Sequence, residues 1–270
     1  MKFSLLMSIY YKEKPEYFDR CMQSIWDEQT IKPNEIILVE DGKLTPQLYK
    51  VIDNWQNKIG DIFKIISLEQ NVGLGDALNI GLKKCSYELI ARMDTDDIAL
   101  SNRFEKQLQV FENSDIDICS SWVAEFEDDE ENIISYKKVP KNHNKIINFA
   151  KKRNPINHPA VIYKKSIIQK AGGYKKMFWF EDYYLWIRMI LNGAKFYNIQ
   201  EPLVKMRAGF SQLDRRRGLN YIKAEVKFLT TIKQEGFLNS YEFTRNLIVR
   251  LIARSMPKRV LKSIYKRLRD

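Results

Sequence analysis

Along the N-terminal part of the chain, short apolar runs alternate with stretches in which apolar side chains recur every three or four positions. The run Phe3 to Tyr10, rich in large and β-branched side chains, predicts a buried parallel strand. A helix follows from Pro15, with Phe18, Met22, Ile25 and Trp26 at helical spacing. Further strands are predicted at Glu35 to Val39, about Phe63 to Leu68, and Tyr87 to Ile90, with a helix around Gln47 to Lys58. Asn71-Val72-Gly73-Leu74-Gly75 opens another helix through Ala77, Leu78 and Leu82. Strand and helix in alternation predict the doubly wound half of an α/β fold.

In an open parallel sheet the ligand lies beyond the carboxyl ends of the strands. Those ends carry Ser8 to Tyr11, Glu40-Asp41-Gly42, Asn71 to Gly75, and the run Ala91-Arg92-Met93-Asp94-Thr95-Asp96-Asp97. Three carboxylates within four residues need a counter-charge, and hard oxygen ligands of this kind suit Mg²⁺ or Mn²⁺ bridging to a nucleotide diphosphate. Asp97 can also cap the segment that follows it. Glycine in the Asn71–Gly75 loop permits close backbone approach and leaves helix N-terminal amides open to an anion. The first loop lacks G-x-G-x-x-G and no Walker A lysine motif occurs, which weighs against hydride transfer and P-loop hydrolysis.

Glu181 and Asp182 form a second acidic pair, between Phe178-Trp179-Phe180 and the stretch Tyr183 to Leu191, which reads as an amphipathic helix. There they can complement a helix dipole or take a proton from a substrate. Arg215-Arg216-Arg217-Gly218 offers loop guanidinium groups suited to phosphate, and equally suited to solvated surface. His158 is one of two histidines, and no H-x-x-H, H-E-x-x-H or paired C-x-x-C spacing predicts a zinc site. Cys21, Cys85 and Cys119 are isolated within predicted core elements and are expected to be reduced and buried.

The net charge is +11, and residues 241–270 hold nine Lys or Arg against two acids, so the tail supplies +7 of it. Leu247, Ile248, Leu251 and Ile252, then Val260, Leu261, Ile264, Tyr265 and Leu268, recur at helical spacing with bases between, and Pro257 splits the stretch into two helices. Basic amphipathic helices of this kind suit an anionic membrane surface; a helix capping the domain with a solvated basic face is the plainer alternative. The opening Met-Lys-Phe-Ser-Leu-Leu-Met is too short for a signal peptide, and no apolar run of about 20 residues could span a bilayer. A cytoplasmic chain, peripheral on the inner face of the membrane, is the expectation.

Taken in order, the motifs resemble glycosyltransferase family 2, with its GT-A nucleotide-sugar fold. The segments that carry the resemblance are Ser8-Ile9-Tyr10-Tyr11-Lys12, Gln23-Ser24-Ile25 through Gln29-Thr30, and Ile37-Leu38-Val39-Glu40-Asp41-Gly42. They continue with Asn71-Val72-Gly73-Leu74-Gly75-Asp76-Ala77-Leu78-Asn79, then Ala91 to Asp97 with Arg103, Asn157-His158-Pro159-Ala160-Val161, and Phe180-Glu181-Asp182-Tyr183-Tyr184-Leu185-Trp186. Within the family the chain looks most like bacterial transferases building O-antigen or exopolysaccharide repeat units. The resemblance implies a Rossmann-like, mixed and mainly parallel sheet flanked by helices over residues 1–217. Residues 1–100 would form the nucleotide-binding half and 101–217 the acceptor-binding half, with a basic amphipathic helical extension at 218–270. It also implies inverting, metal-dependent transfer of a hexose, galactose or glucose favoured, from a UDP-sugar to a lipid-diphosphate-linked sugar. Ser8, Tyr10 and Asp41 would hold uracil and ribose, with Asn71, Gly73, Arg92 and Asp94 completing the donor pocket. Asp96 would bind Mn²⁺ or Mg²⁺, Asp97 would orient its loop or the following helix, and Asp182 would be the base with Glu181 as alternate. His158, Arg215 and Arg216 would meet the acceptor or a phosphate. The competing classes are a nucleic-acid-binding module, which explains the basic tail only, and a non-catalytic assembly protein on the same fold, against which the intact acidic motifs stand. A nucleotidyltransferase would carry a glycine-rich phosphate loop near the first strand, which is absent. No nucleic-acid partner is expected.

Overall fold

The computed structural model describes residues 1–208 and 218–255. Strands β1 (Phe3–Ile9), β2 (Glu35–Glu40), β3 (Phe63–Ser67) and β4 (Leu89–Arg92) pair in parallel in the order β3-β2-β1-β4. Helices α1 (Pro15–Trp26), α2 (Pro46–Ile59) and α3 (Leu74–Lys84) connect them. Side chains of β1 alternate between two cores: Phe3, Leu5, Met7 and Ile9 pack with α1 and α2, whereas Leu6 packs with Ala77, Leu78 and Leu82 of α3. Gly81 lets α3 lie close to the sheet, since a Cβ there would stand 2.4 Å from Leu6 Cδ1 and 2.7 Å from Val39 Cγ2.

The sheet then turns antiparallel. After β5 (Ile98–Ala99) and α4 (Arg103–Asn113) come β6 (Ile118–Phe126), β7 (Ile133–Lys137), α5 (His143–Ala150), β8 (Ile162–Lys164), α6 (Lys165–Lys170), α7 (Glu181–Leu191) and β9 (Phe196–Arg207). β8 inserts antiparallel between β4 and β6; β9 runs parallel to β6 and carries β5 at its outer edge. The result is the expected mixed α/β sheet with helices on both faces. Helices α8 (Leu219–Gln234) and α9 (Ser240–Ser255) follow.

Three expectations shift. The fourth strand ends at Arg92 rather than Ile90, because Ala91 and Arg92 stay in register with Leu5 and Leu6 of β1. Asp97 caps no helix: Ile98 and Ala99 pair with β9, and Asn102 holds the N-cap position of α4. Tyr183 to Leu191 is not amphipathic, for Tyr183 through Met189 are all buried. Leu185, Trp186 and Met189 face the sheet, while Tyr183, Tyr184 and Ile187 meet Phe228, Leu229 and Ile232 of α8, so a covering helix removes the polar face. The tail helix is present as α9; Pro257 and the segment beyond it lie outside the described residues. Among the described residues no helix is long and apolar enough to cross a membrane.

Candidate active site at the strand ends

The carboxyl ends of β1, β2 and β4 meet where the strand order reverses, the position at which parallel sheets leave a crevice. Ser8 is half-buried there and Tyr10 is exposed beyond it. Asp41, 4% exposed, accepts from the Val72 amide at 2.7 Å and the Gly73 amide at 3.0 Å, one on each carboxylate oxygen. Asn71 Nδ2 returns a bond to the Asp41 carbonyl at 3.1 Å. Gly42, at φ +87°, is required for this approach, because a Cβ would stand 2.8 Å from the Asn71 nitrogen. Asp41 thus joins the end of β2 to the loop that starts α3, with Gly73 at the N-cap position of that helix and no side-chain cap to cover its amides.

The acidic loop is built on buried cations. Arg92, 1% exposed, pairs through Nη2 with Asp94, while its Nε and Nη1 have no partner among the described residues. Beneath it Arg103, fully buried, donates to the Arg92 carbonyl at 2.7 Å, and burial brings its guanidinium down to about 9. Asp97 Oδ1 accepts from the Arg207 amide at 2.8 Å, tying the loop to the end of β9, whereas its Oδ2 is buried without a partner among the described residues. Burial, then Asp96 and Asp94, hold the Asp97 carboxyl well above the usual range. Burial, then the charges of Asp94 and Glu13, raise Asp96 to about 7. Glu13, which accepts from the Thr95 hydroxyl, is itself raised by burial, with the Asp94 charge adding. Burial and Asp97 push the Cys21 thiol up, so it is no nucleophile.

Carboxylates that repel one another in this way fit a divalent cation. Among the described residues no three His, Cys, Asp or Glu side chains converge into a closed cage. Mg²⁺ or Mn²⁺ needs only one or two protein carboxylates, with substrate phosphates completing its shell. Of the loop acids Asp96 is the half-buried one with no salt bridge among the described residues, and so the donor most open to such an ion.

Across the crevice α7 begins with Glu181 and Asp182. Asp182 Oδ2 accepts from Asn154 Nδ2 at 2.7 Å and Oδ1 from the Tyr183 amide at 2.7 Å. Glu181 leans toward the first turn of α3, its Cγ lying 3.7 Å from a Cβ placed on Gly75; burial, and then the Asp182 charge, raise its carboxyl. The two acids therefore point to different neighbours. Nearby is Tyr174, whose hydroxyl meets His158 Nε2 at 2.8 Å and whose backbone is held by Asn79 at 2.7 and 2.8 Å. Tyr174 feels the charges of Arg92, Asp182 and Asp94. Burial, with Arg92 adding, lowers His158 well below its ordinary value, so the imidazole is neutral. All three cysteines are buried and free, as expected.

Of the sequence-predicted residues, the structure joins Asp41 to Asn71 and Gly73, pairs Arg92 with Asp94, sets His158 on Tyr174 within charge range of Arg92, Asp94 and Asp182, and brings Glu181 beside Gly75; Ser8, Tyr10 and Asp96 stand on the strand-end loops of β1 and β4, and Arg215 and Arg216 lie outside the described residues. Five participants were missed by sequence reasoning: Glu13, Asn154, Tyr174, Asn79 as a clamp, and Arg207. The Arg207 guanidinium sits 3.7 Å over the Tyr17 ring and donates through Nε to the Asp96 carbonyl at 3.4 Å. Only Glu13, two residues beyond the first strand-end tyrosines, carried a positional signal.

Comparison with known proteins agrees with this architecture. The family model described as "Glycosyl transferase family 2" matches residues 4–171. The chain is 40% identical over 268 residues to an Escherichia coli protein named UDP-Gal:alpha-D-GlcNAc-diphosphoundecaprenol beta-1,3-galactosyltransferase, covering 99% of this chain and 96% of that one. It is likewise 40% identical over 268 residues to the amylovoran biosynthesis glycosyltransferase AmsE of Erwinia amylovora, covering 98% of each. Among solved structures, residues 1–349 of S. aureus TarS in complex with UDP-GlcNAc share the fold, with a TM-score of 0.67 at 16% identity over 93% of this chain and 72% of that one. With its strand-end acids in place and a family match over most of its length, this chain belongs to glycosyltransferase family 2 and is a glycosyltransferase.

Proposed function

We propose that the enzyme transfers galactose from UDP-galactose to an N-acetylglucosamine linked through a diphosphate to a lipid, inverting the anomeric centre to give a β-galactoside, in the assembly of a bacterial surface polysaccharide. The observation that carries this is the near end-to-end 40% identity to the E. coli enzyme named for that reaction. UDP-galactose is an α-glycoside, so a β product requires one displacement with inversion. Such a displacement needs a donor crevice and a carboxylate facing it, roles that the strand ends of β1, β2 and β4 and Asp182 at the start of α7 would fill.

Ser8 and Tyr10 would flank the uracil, and Asp41 would set the loop whose amides approach the donor. Asp94, neutralised by Arg92, would accept from the ribose. A divalent cation held by Asp96 and the donor's own diphosphate would supply charge stabilisation for departing UDP. Arg207 adds a fixed positive charge beside the loop. Asp182 would take the acceptor hydroxyl's proton; Asn154 and the Tyr183 amide fix its orientation, which favours attack from one direction. Glu181 is the alternate base. His158 would stand on the acceptor side as a neutral hydrogen-bonding group.

The acceptor's lipid makes membrane contact useful, and α9 offers a stripe for it: Tyr241, Ile248, Val249 and Ile252 are all exposed and share one helical face. Its arginines are used differently from the sequence expectation, since Arg250 and Arg254 reach Glu225 of α8 at 3.0 and 3.1 Å. Attachment through α9 therefore leans on apolar area more than on charge.

The test is a donor screen on the purified enzyme: UDP-galactose, UDP-glucose and their N-acetyl counterparts, each with and without a chelator, read by product mass. Transfer from UDP-galactose that stops in chelator and returns with Mn²⁺ is the expected result. A preference for another sugar, or full activity in chelator, would remove the corresponding part of the proposal.

A further inference from the structure

Among the described residues, Trp179 is the one non-glycine residue with a positive φ, at +67°. It is the third residue of the turn Met177–Phe180, which the Phe180 amide closes onto the Met177 carbonyl at 2.6 Å. Glycine or asparagine normally fills such a position, and a bulky side chain there is an outlier held only by its surroundings. Strain of this kind gathers at ligand clamps. Here the surroundings are specific: the indole lies 5.1 Å from the Tyr221 ring of α8. Phe178 meets the indole edge-on, with ring centroids 4.5 Å apart.

These contacts fix the two rings without hiding them, for Phe178 is 68% and Trp179 is 40% exposed. Their neighbour Phe180 does the opposite, stacking on Phe228 and disappearing into the core. A turn that builds only core would bury all three. Instead two aromatic faces stand open, on a turn closed by the Phe180–Met177 bond and one turn before the candidate base.

We propose that Phe178 and Trp179 form the platform on which the acceptor's sugar ring is seated, with the apolar C–H face of the hexosamine stacked on the indole. This rests on the acceptor class proposed above. A pyranose offers one face of C–H bonds and a rim of hydroxyls, matching an aromatic body with a polar N–H handle. Bilayer contact would also use exposed aromatic rings, but it needs no fixed ring orientation and so gives no reason for the strained backbone. Because the turn runs directly into α7, it fixes the distance between the seated ring and the carboxylates at Glu181 and Asp182, which is what positions a hydroxyl for deprotonation.

The test is calorimetric binding of a short soluble N-acetylglucosamine-α-diphosphate alkyl analogue in the presence of UDP, to the wild type, Trp179→Gly and Phe178→Ser. Glycine relieves the positive φ, so Trp179→Gly is expected to keep UDP affinity and an unreduced thermal midpoint while binding the analogue roughly tenfold more weakly. Phe178→Ser, at a position without that strain, should weaken the analogue to a lesser degree and also leave UDP affinity intact. Unchanged analogue affinity in both variants would overturn the platform. So would a loss seen only with a long-chain acceptor in vesicles, which assigns the turn to the bilayer. A wild type that binds the analogue in a Trp179-dependent way yet transfers no galactose would remove the donor assignment and leave the platform standing.

Discussion

Replacing Asp41 by asparagine separates two ways in which the end of β2 could serve the donor. In the structure the carboxylate accepts two backbone amides, Val72 and Gly73, one per oxygen, at a site that is 4% exposed. Asparagine keeps one acceptor and turns an NH₂ group toward the other amide, so one bond is lost and two donors face each other. Hydrogen bonds to charged groups contribute about 1.5–3 kcal/mol each, and a buried amide left unpaired costs about 1–3 kcal/mol. Burial keeps solvent from screening the change, so Asp41→Asn should destabilise the fold by roughly 2–4 kcal/mol in urea unfolding. Because Asn71–Gly73 leads into α3, the same change should weaken UDP binding by roughly tenfold or more in calorimetry. Lost UDP affinity at unchanged stability would refute the bridging role and give Asp41 to the base directly. Unchanged values of both would remove Asp41 from the site.

Other perturbations give distinct signatures. Asp182→Asn should leave UDP affinity intact and abolish transfer, whereas Glu181→Gln should retain transfer; the reverse pattern in paired binding and rate measurements makes Glu181 the base. Because burial raises the Glu181 carboxyl above its unfolded value, its ionisation lowers stability as pH rises from about 4 through the raised value. Glu181→Gln should therefore stabilise the protein near neutral pH, and an unchanged pH–stability curve would contradict that. His158 has the opposite sign: held neutral below its unfolded value, it costs stability as pH falls beneath about 6.5, at up to about 1.4 kcal/mol per pH unit. His158→Gln should flatten that acid decline in thermal unfolding, and a curve as steep as wild type would show that another group carries it. Ile248→Ser with Ile252→Ser should reduce flotation with vesicles and slow transfer to a long-chain acceptor while sparing a short analogue; equal losses on both would make α9 a structural cap.

How far the sequence could be read depended on which forces acted locally. The parallel half was legible because β1 and β2 are buried on both faces and so read as mostly apolar runs, and because Gly42 and Gly73 mark turns that need φ > 0. The acids of the Ala91–Asp97 run announced themselves by crowding. What stayed hidden was set by distant chain: Arg207 reaches Asp97 from the far end of β9, and Asn154 reaches Asp182 from the loop after α5. Neither stands in a patterned stretch. The false amphipathic reading of Tyr183 to Leu191 has the same origin, because α8 covers the side that its own sequence leaves open. Trp179 was visible as one of three aromatics, but its positive φ is a backbone property that no composition or periodicity predicts.

The central claim is tested most directly by incubating the purified wild-type enzyme with UDP-galactose, Mn²⁺ and a lipid-diphosphate-linked N-acetylglucosamine, and determining the product's anomeric configuration by NMR. The expected product carries one added galactose in β linkage, with UDP released in equal amount. An α-linked product would contradict the single displacement built on Asp182. UDP release without any glycosylated acceptor would contradict the acceptor itself.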